Sequence, residues 1–395
     1  MEQNTASLRR VRATFMLIYL LYMSARALFN PYITLFLHEK GFDTAIIGSI
    51  TAANSLVIIF AQPFWGIVSD RLRSVKWTLI ICLVCQAATA LVMRNVAAVM
   101  ATMLTYCIFG FFSSPEGPLL DTWSLSSLKR AGDAQGVGQL KFLGCLGYSL
   151  CSVLSALAVA QSTTADMLPL YAVILTGTAG LLVLIREPRG EQSRRTLRDL
   201  QIGTLFQDKA FLLLLAYMFL MQIPHRAAYT FFATYITTLG GSKSLVGFTS
   251  AMMFLSEGLV MFFSRKLLKR FHPRAIILGS AAFFCLWQIL YAVAPFAEWI
   301  VGIAALDGPS YGLFCIGVLY YLDRLAPTRL RASYQTIAYA VYFGLAGIAG
   351  NALGGLVINA VGYRPMYWAG AALTMLASVG YGLLGKSTWE EEVSA

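Results

Sequence analysis

Apolar stretches of 17 to 27 residues recur along the whole chain, and most charge falls in short clusters between them. Crossing a bilayer's hydrocarbon core takes about 20 apolar residues. A helix is the form in which one such segment satisfies its own backbone there. Each run is therefore expected to be a transmembrane helix. The runs fall near 13–37, 46–68, 77–94, 97–122, 142–161 and 168–185, then near 210–236, 244–264, 275–296, 299–321, 333–358 and 365–385. That is an all-α membrane protein of twelve transmembrane helices. Its 12% charged content, about half that of a soluble protein, excludes disorder, a disulfide scaffold and nucleic-acid binding. The first run follows Arg9, Arg10 and Arg12 but is too long for a signal-peptide h-region and lacks a small-residue cleavage site, so it reads as a span. Seven cysteines lie within spans, Cys82 and Cys85 among them, and read as small apolar packing residues.

The polar stretch 186–209 divides the runs six and six. It separates a bundle over 1–185 from a second over 210–395. The net charge of +11 is distributed unevenly. Of the 30 Lys and Arg, 24 fall on the side of the N terminus and of 186–209, and four fall on the other. Positive charge marks cytoplasmic loops, so both termini and the linker are expected in the cytoplasm. The two halves also share a local pattern. Arg26-Ala27-Leu28-Phe29 precedes Gly48 by 22 residues, and Arg226-Ala227-Ala228-Tyr229 precedes Gly247 by 21. Two pseudo-symmetric six-helix bundles are expected, with a solute site between them near the midplane.

Gly66-Ile67-Val68-Ser69-Asp70-Arg71 ends the second run. It resembles the G-x-x-x-D-R/K signature of the major facilitator superfamily, which implies a gating role for Gly66, Asp70 and Arg71. Physically, Gly66 would let helices approach closely and Asp70 can pair with a loop cation. Gly138 through Tyr148, with Pro118-Leu119-Leu120-Asp121 upstream, is similar to the lactose permease family. There an arginine and a glutamate bind sugar hydroxyls and an aromatic stacks on the ring. The resemblance places those roles on Lys141, Asp121 and Tyr148. Lysine lacks arginine's bidentate fork, which weighs against a galactoside. Leu306 through Gly312 and Leu330 through Gln335, with Tyr342 through Gly355, resemble the nucleoside and phenylpropionate permeases.

Ionisable groups inside spans are costly and mark function. Arg26, Glu116, His225, Arg226, Glu257 and Asp307 lie in or near span centres, with Asp121 and Lys141 nearer the cytoplasmic ends. They are expected to face one water-accessible chamber shared by the bundles. Glu257 and Asp307 are candidates for proton coupling, Asp307 because Gly308-Pro309 loosens its helix. His225 reads either as a relay or as a neutral residue bonded between helices. Glu116, flanked by Pro115 and Gly117-Pro118, is expected at a helix break lining the cavity. Arg26 and Arg226 either pair with these acids or clamp an anionic solute. Trp123, Tyr148 and Trp287 are candidate stacking surfaces, and Gly350-x-x-x-Gly354 reads as helix packing.

The chain thus reads as a proton-coupled symporter for a sugar, glycoside or nucleoside in a bacterial inner membrane, without cofactor or metal and sufficient as a monomer in the bilayer. Alternatives are uptake of an aromatic or other monocarboxylate and proton-coupled efflux. The antiporter signature G-x-x-x-G-P-x-x-G-G is absent from 142–161, which contains no proline. Three scattered histidines (His38, His225, His272) provide no metal cluster or nucleophile constellation, so an enzyme is not expected.

Overall fold

The computed structural model describes residues 2–131, 137–185, 207–327 and 330–384. Most of the 186–209 linker lies outside them. The described residues are helical throughout and contain no strand. The N-terminal half holds α1 (Glu2–Phe29, continuing through Asn30–Tyr32 into Ile33–Glu39), α2 (Thr44–Leu72), α3 (Val75–Asn95), α4, α5 (Val137–Val159) and α6 (Met167–Leu184). The second half holds α7 (Lys209–Thr238), α8 (Lys243–Arg270), α9 (Pro273–Ala292), α10, α11 and α12 (Tyr363–Leu384).

Among the described residues, eleven helices are long and apolar enough to cross a membrane. The fourth rod differs. α4 consists of Val99–Ser113 and Glu116–Arg130, 15 residues each, abutting at Ser114 and Pro115. Pro115 has no N–H to continue the ladder, which accounts for the break. α10 is also irregular: Ala297–Ile303 tightens at Ala304–Leu306, widens over Gly308–Gly312, and resumes as Leu313–Leu325. In α11, Arg331–Tyr339 and Ala346–Val361 flank a wide turn at Ala340–Leu345.

Helix starts are set by local chemistry. Asp43, Ser74 and Asp208 each cap a helix by accepting from the N–H three residues on, that of Ile46, Trp77 and Phe211. Large apolar side chains face outward in numbers a soluble surface would not carry, among them Phe60 at 69% and Leu184 at 81% exposure. Polar groups turn inward instead.

Glycine sets how closely the two halves approach. A Cβ on Gly48 of α2 would fall 2.6 Å from the Asn351 carbonyl oxygen of α11 and 3.0 Å from Gly355 Cα. One on Gly247 of α8 would fall 2.6 Å from the Ser152 carbonyl oxygen of α5. The two glycines paired by the sequence repeat thus occupy the two equivalent seams, α2 on α11 and α8 on α5. Gly350 and Gly354 pack on α7, where added carbons would meet the Ile223 carbonyl oxygen at 2.5 Å and Ala227 Cβ at 2.6 Å. Gly66 behaves otherwise: a Cβ there meets nothing within 4 Å. The expected close approach at Gly66 is not made in this conformation: α4 packs on the neighbouring Trp65, whose Nε1 donates to the Phe111 carbonyl oxygen at 3.0 Å, and not on Gly66.

Candidate solute site at the seam

The charged residues of the interior form a file crossing from one bundle to the other. On the N-terminal side, Lys141 Nζ donates to Asp121 Oδ2 at 2.7 Å, and Tyr19 Oη donates to Asp121 Oδ1 at 2.5 Å. α8 comes next, held between the bundles: a Cβ on Gly258 would lie 3.0 Å from Cys145 of α5. On its other side, the Gly308 N–H of α10 donates to Ser256 Oγ at 2.9 Å. Glu257 lies between these contacts and is buried, with no cation within ion-pair distance among the described residues. Beyond it, Asp307 Oδ1 faces His225 Nε2 at 3.8 Å, a gap that makes an ion pair only when the imidazole is protonated. His225 is stacked on Tyr311, its ring 4.8 Å away, and its Nδ1 meets Gln222 Oε1 at 3.0 Å on its own helix. The expected bond between helices is thus replaced by one within α7.

Arg26 and Arg226 form no ion pair with Glu116, Glu257 or Asp307, so the expected internal pairing is not made. Arg26 Nη1 instead donates to Tyr22 Oη at 2.7 Å, one turn back on α1. Arg226 lies over the rings of Phe343 and Tyr342, 4.7 and 5.4 Å from their centroids. Glu116 sits at the break in α4, where expected; it is 1% exposed and its Oε1 has no hydrogen-bond partner.

The space around these groups is divided. One cleft of about 300 Å³, counting its open side, is lined by His225, Tyr229, Trp287, Tyr291 and Asp307. A second, of about 230 Å³, is lined by Tyr22, Leu83, Glu116 and Thr178. Each of these two is walled by helices of a single half. Close α5–α8 packing closes the space between them. Tyr148 shows why: it is 1% exposed and its ring is stacked on Phe254 of α8, centroids 3.5 Å apart. A stacking role toward solute requires that contact to open. Trp123 is sealed against Phe15, whereas Trp287 lines the larger cleft. Asp70 and Arg71 lie in the last turn of α2, whose end is turned by Arg73 in the left-handed region at φ 51°.

Two further sequence features mark the site. Glu116-Gly117-Pro118 and Asp307-Gly308-Pro309 are the same acid–glycine–proline pattern in the fourth rod of each half, and each acid lines its own half's cleft. Polar residues inside apolar runs also mark the seam. Thr230 Oγ1 donates to Asn351 Oδ1 at 2.7 Å, and Asn351 Nδ2 donates to Ser55 Oγ at 3.3 Å, linking α7, α11 and α2.

The model of the MFS_1 like family matches residues 13–369, nearly the whole helical chain. The protein belongs to that family. It is thereby a member of the major facilitator superfamily, an integral multi-pass membrane protein and not an enzyme. The chain is 26% identical over 373 residues to a maltose permease of Geobacillus stearothermophilus, covering 93% of this chain and 91% of that one. It is 24% identical to the uncharacterised transporter YwbF of Bacillus subtilis (strain 168), over 89% and 87% of the two chains. The crystal structure of the nucleoside transporter NupG superposes with a TM-score of 0.83 at 17% identity, covering 95% and 99%. That likeness establishes the fold for this MFS_1 like member.

Proposed function

We propose that this protein is a proton-coupled symporter that takes up a small organic solute across a bacterial cytoplasmic membrane by rocking its halves, 1–185 and 210–395, about a site at the seam. The two pieces of α4 together make a twelfth crossing. Both termini and the 186–209 linker lie in the cytoplasm, in keeping with the 24-to-four distribution of basic residues. One chain suffices. A sugar, glycoside or nucleoside is the solute class in keeping with relatives named as maltose and nucleoside permeases.

One observation carries the proton coupling. Glu257 and Asp307 occupy adjoining helices, locked together by the Gly308–Ser256 bond, and neither has a permanent cation against it. A carboxylate cannot cross a low-dielectric seam as an uncompensated charge. It moves between the two faces when a proton neutralises it. The 3.8 Å between His225 and Asp307 supports His225 as the group that passes that proton on. Binding that depends on carboxylate protonation links solute to proton thermodynamically.

Proteoliposomes supplied with labelled maltose, uridine, glucuronate and 3-phenylpropionate test this. A pH gradient, acid outside, should drive accumulation of at least one solute by the wild type. Glu257→Gln and Asp307→Asn should abolish uphill accumulation while retaining exchange of internal for external solute. Gradient-driven uptake that survives both substitutions overturns the coupling role.

A further inference from the structure

The two arginines of the repeat occupy equivalent turns of α1 and α7, yet their donors are used differently. Arg26 finds its partners within α1. Tyr22 Oη takes Nη1, and the Asn30 amide, turned so that its oxygen faces the guanidinium, accepts from Nε at 3.1 Å and Nη2 at 3.3 Å. Arg226 has no such partners: its Nε and Nη2 are buried without any acceptor. Those two atoms share one edge of the planar guanidinium, and their N–H bonds run parallel. That edge is the one a carboxylate meets with both oxygens at once.

The surroundings hold this edge open. A guanidinium is charged at every physiological pH, so burial cannot neutralise it. Phe343 and Tyr342 interact with its face, but ring faces do not satisfy in-plane N–H groups. No acid fills that edge. Asp307 turns toward His225 and Asp121 is held by Lys141 and Tyr19, while Glu257 and Glu116 make no ion pair with Arg226. Gly350 lets α11 come close enough to lay the two rings on the arginine, and both belong to the wide turn Ala340–Leu345. Such turns are local interruptions of the helical ladder that often mark functional sites. Arg226 is one turn from Thr230, which begins the Thr230–Asn351–Ser55 link across the seam.

We infer that the solute carries a carboxylate, and that the Nε/Nη2 edge of Arg226 receives it while the Tyr342–Phe343 turn closes over it. This rests on the carrier reading above but departs from its neutral solute class: the cargo is an organic acid, such as a sugar acid or an arylalkanoate. The counter-charge that no described side chain supplies to Arg226 arrives with the cargo.

The test is thermal unfolding of the purified full chain in detergent with matched pairs at equal ionic strength. Glucuronate is set against glucose, and 3-phenylpropionate against 3-phenylpropanamide. The acid of at least one pair should raise the unfolding temperature while its neutral partner does not. Arg226→Gln should remove that response. Arg226→Lys, which keeps the charge and loses the fork, should weaken apparent affinity at least 10-fold. The wild-type comparison stands even if a variant fails to fold. Neutral partners that stabilise equally, an acid response that survives Arg226→Gln, or no response to either acid would each overturn the inference. Gradient-driven uptake of maltose or uridine without any acid response would remove the carboxylate and leave the carrier standing. Loss of gradient-driven uptake with an intact, Arg226-dependent acid response would do the reverse.

Discussion

Lys141 and Asp121 meet at 2.7 Å while both side chains remain 40% exposed. A pair so open to solvent adds about 0–1 kcal/mol to stability, so its value to the fold is small. Charge-assisted hydrogen bonds to a bound solute are stronger, about 1.5–3 kcal/mol each. Lys141→Ala should therefore leave thermal stability within about 1 kcal/mol of wild type. It should weaken solute binding about 10- to 100-fold if Lys141 touches cargo. Calorimetry and titration of the same preparation check both, and an unaltered dissociation constant removes the pair from the site. The identities of such residues were legible because a charge stands out in an apolar run. Their partners were less so. Tyr22 lies four residues before Arg26 on one helix face and was within reach of helical periodicity. The rings over Arg226 come from α11, more than a hundred residues away, and their placement depends on how two helices are rotated against each other.

Helix-scale features follow from where backbone can approach backbone. The breaks at Pro115 and around Pro309 were readable because proline interrupts a ladder in a known way. The roles of the glycines were only partly readable, since a glycine in a sequence does not reveal which helix lies against it. Gly308 and Gly66 show the two outcomes. A Cβ on Gly308 would sit 2.3 Å from the Ser256 carbonyl oxygen and 2.9 Å from the Glu257 nitrogen, and neither is a flexible side-chain end that can move aside. Gly308→Ala should force α8 and α10 apart, break the bond to Ser256 and cost about 1–3 kcal/mol or more. The expected result is a lower unfolding temperature together with impaired proton-driven uptake. Gly66→Ala meets open space, so it should fold with wild-type stability, measured in parallel. Should Gly66→Ala nonetheless slow turnover, the close approach expected from its motif belongs to another conformation of the cycle.

Across the whole molecule, the face opposite the N terminus is held shut by contacts between helices of the two halves. Lys243 of α8 forms an ion pair with Glu39 at the end of α1, and Thr164, just before α6, hydrogen-bonds the same carboxylate. Below that pair the backbones meet at Gly48 on Asn351 and at Gly247 on Ser152. The matching places of Gly48 and Gly247 were legible from the Arg–Gly spacing, but this latch was not. Glu39 and Lys243 sit at the ends of separate helices 204 positions apart, and a surface charge is ordinary there. The latch contacts differ in strength. The ion pair is about a third exposed, 37% at Lys243 and 26% at Glu39, so removing it should change the open-to-closed ratio by no more than about 5-fold. Gly48 is a harder constraint, because a larger side chain would enter the space of the Asn351 carbonyl oxygen and the Gly355 backbone. A cysteine introduced at Ser155, 1% exposed in this closed face, reports the opening when the seven native cysteines are replaced by alanine. Its alkylation by a membrane-impermeant maleimide should quicken a few-fold in Lys243→Gln and more in Gly48→Val. Net uptake should fall in Gly48→Val, since a carrier that cannot close this face cannot release cargo on the other. Unchanged alkylation in both variants would show that these contacts do not hold the face closed.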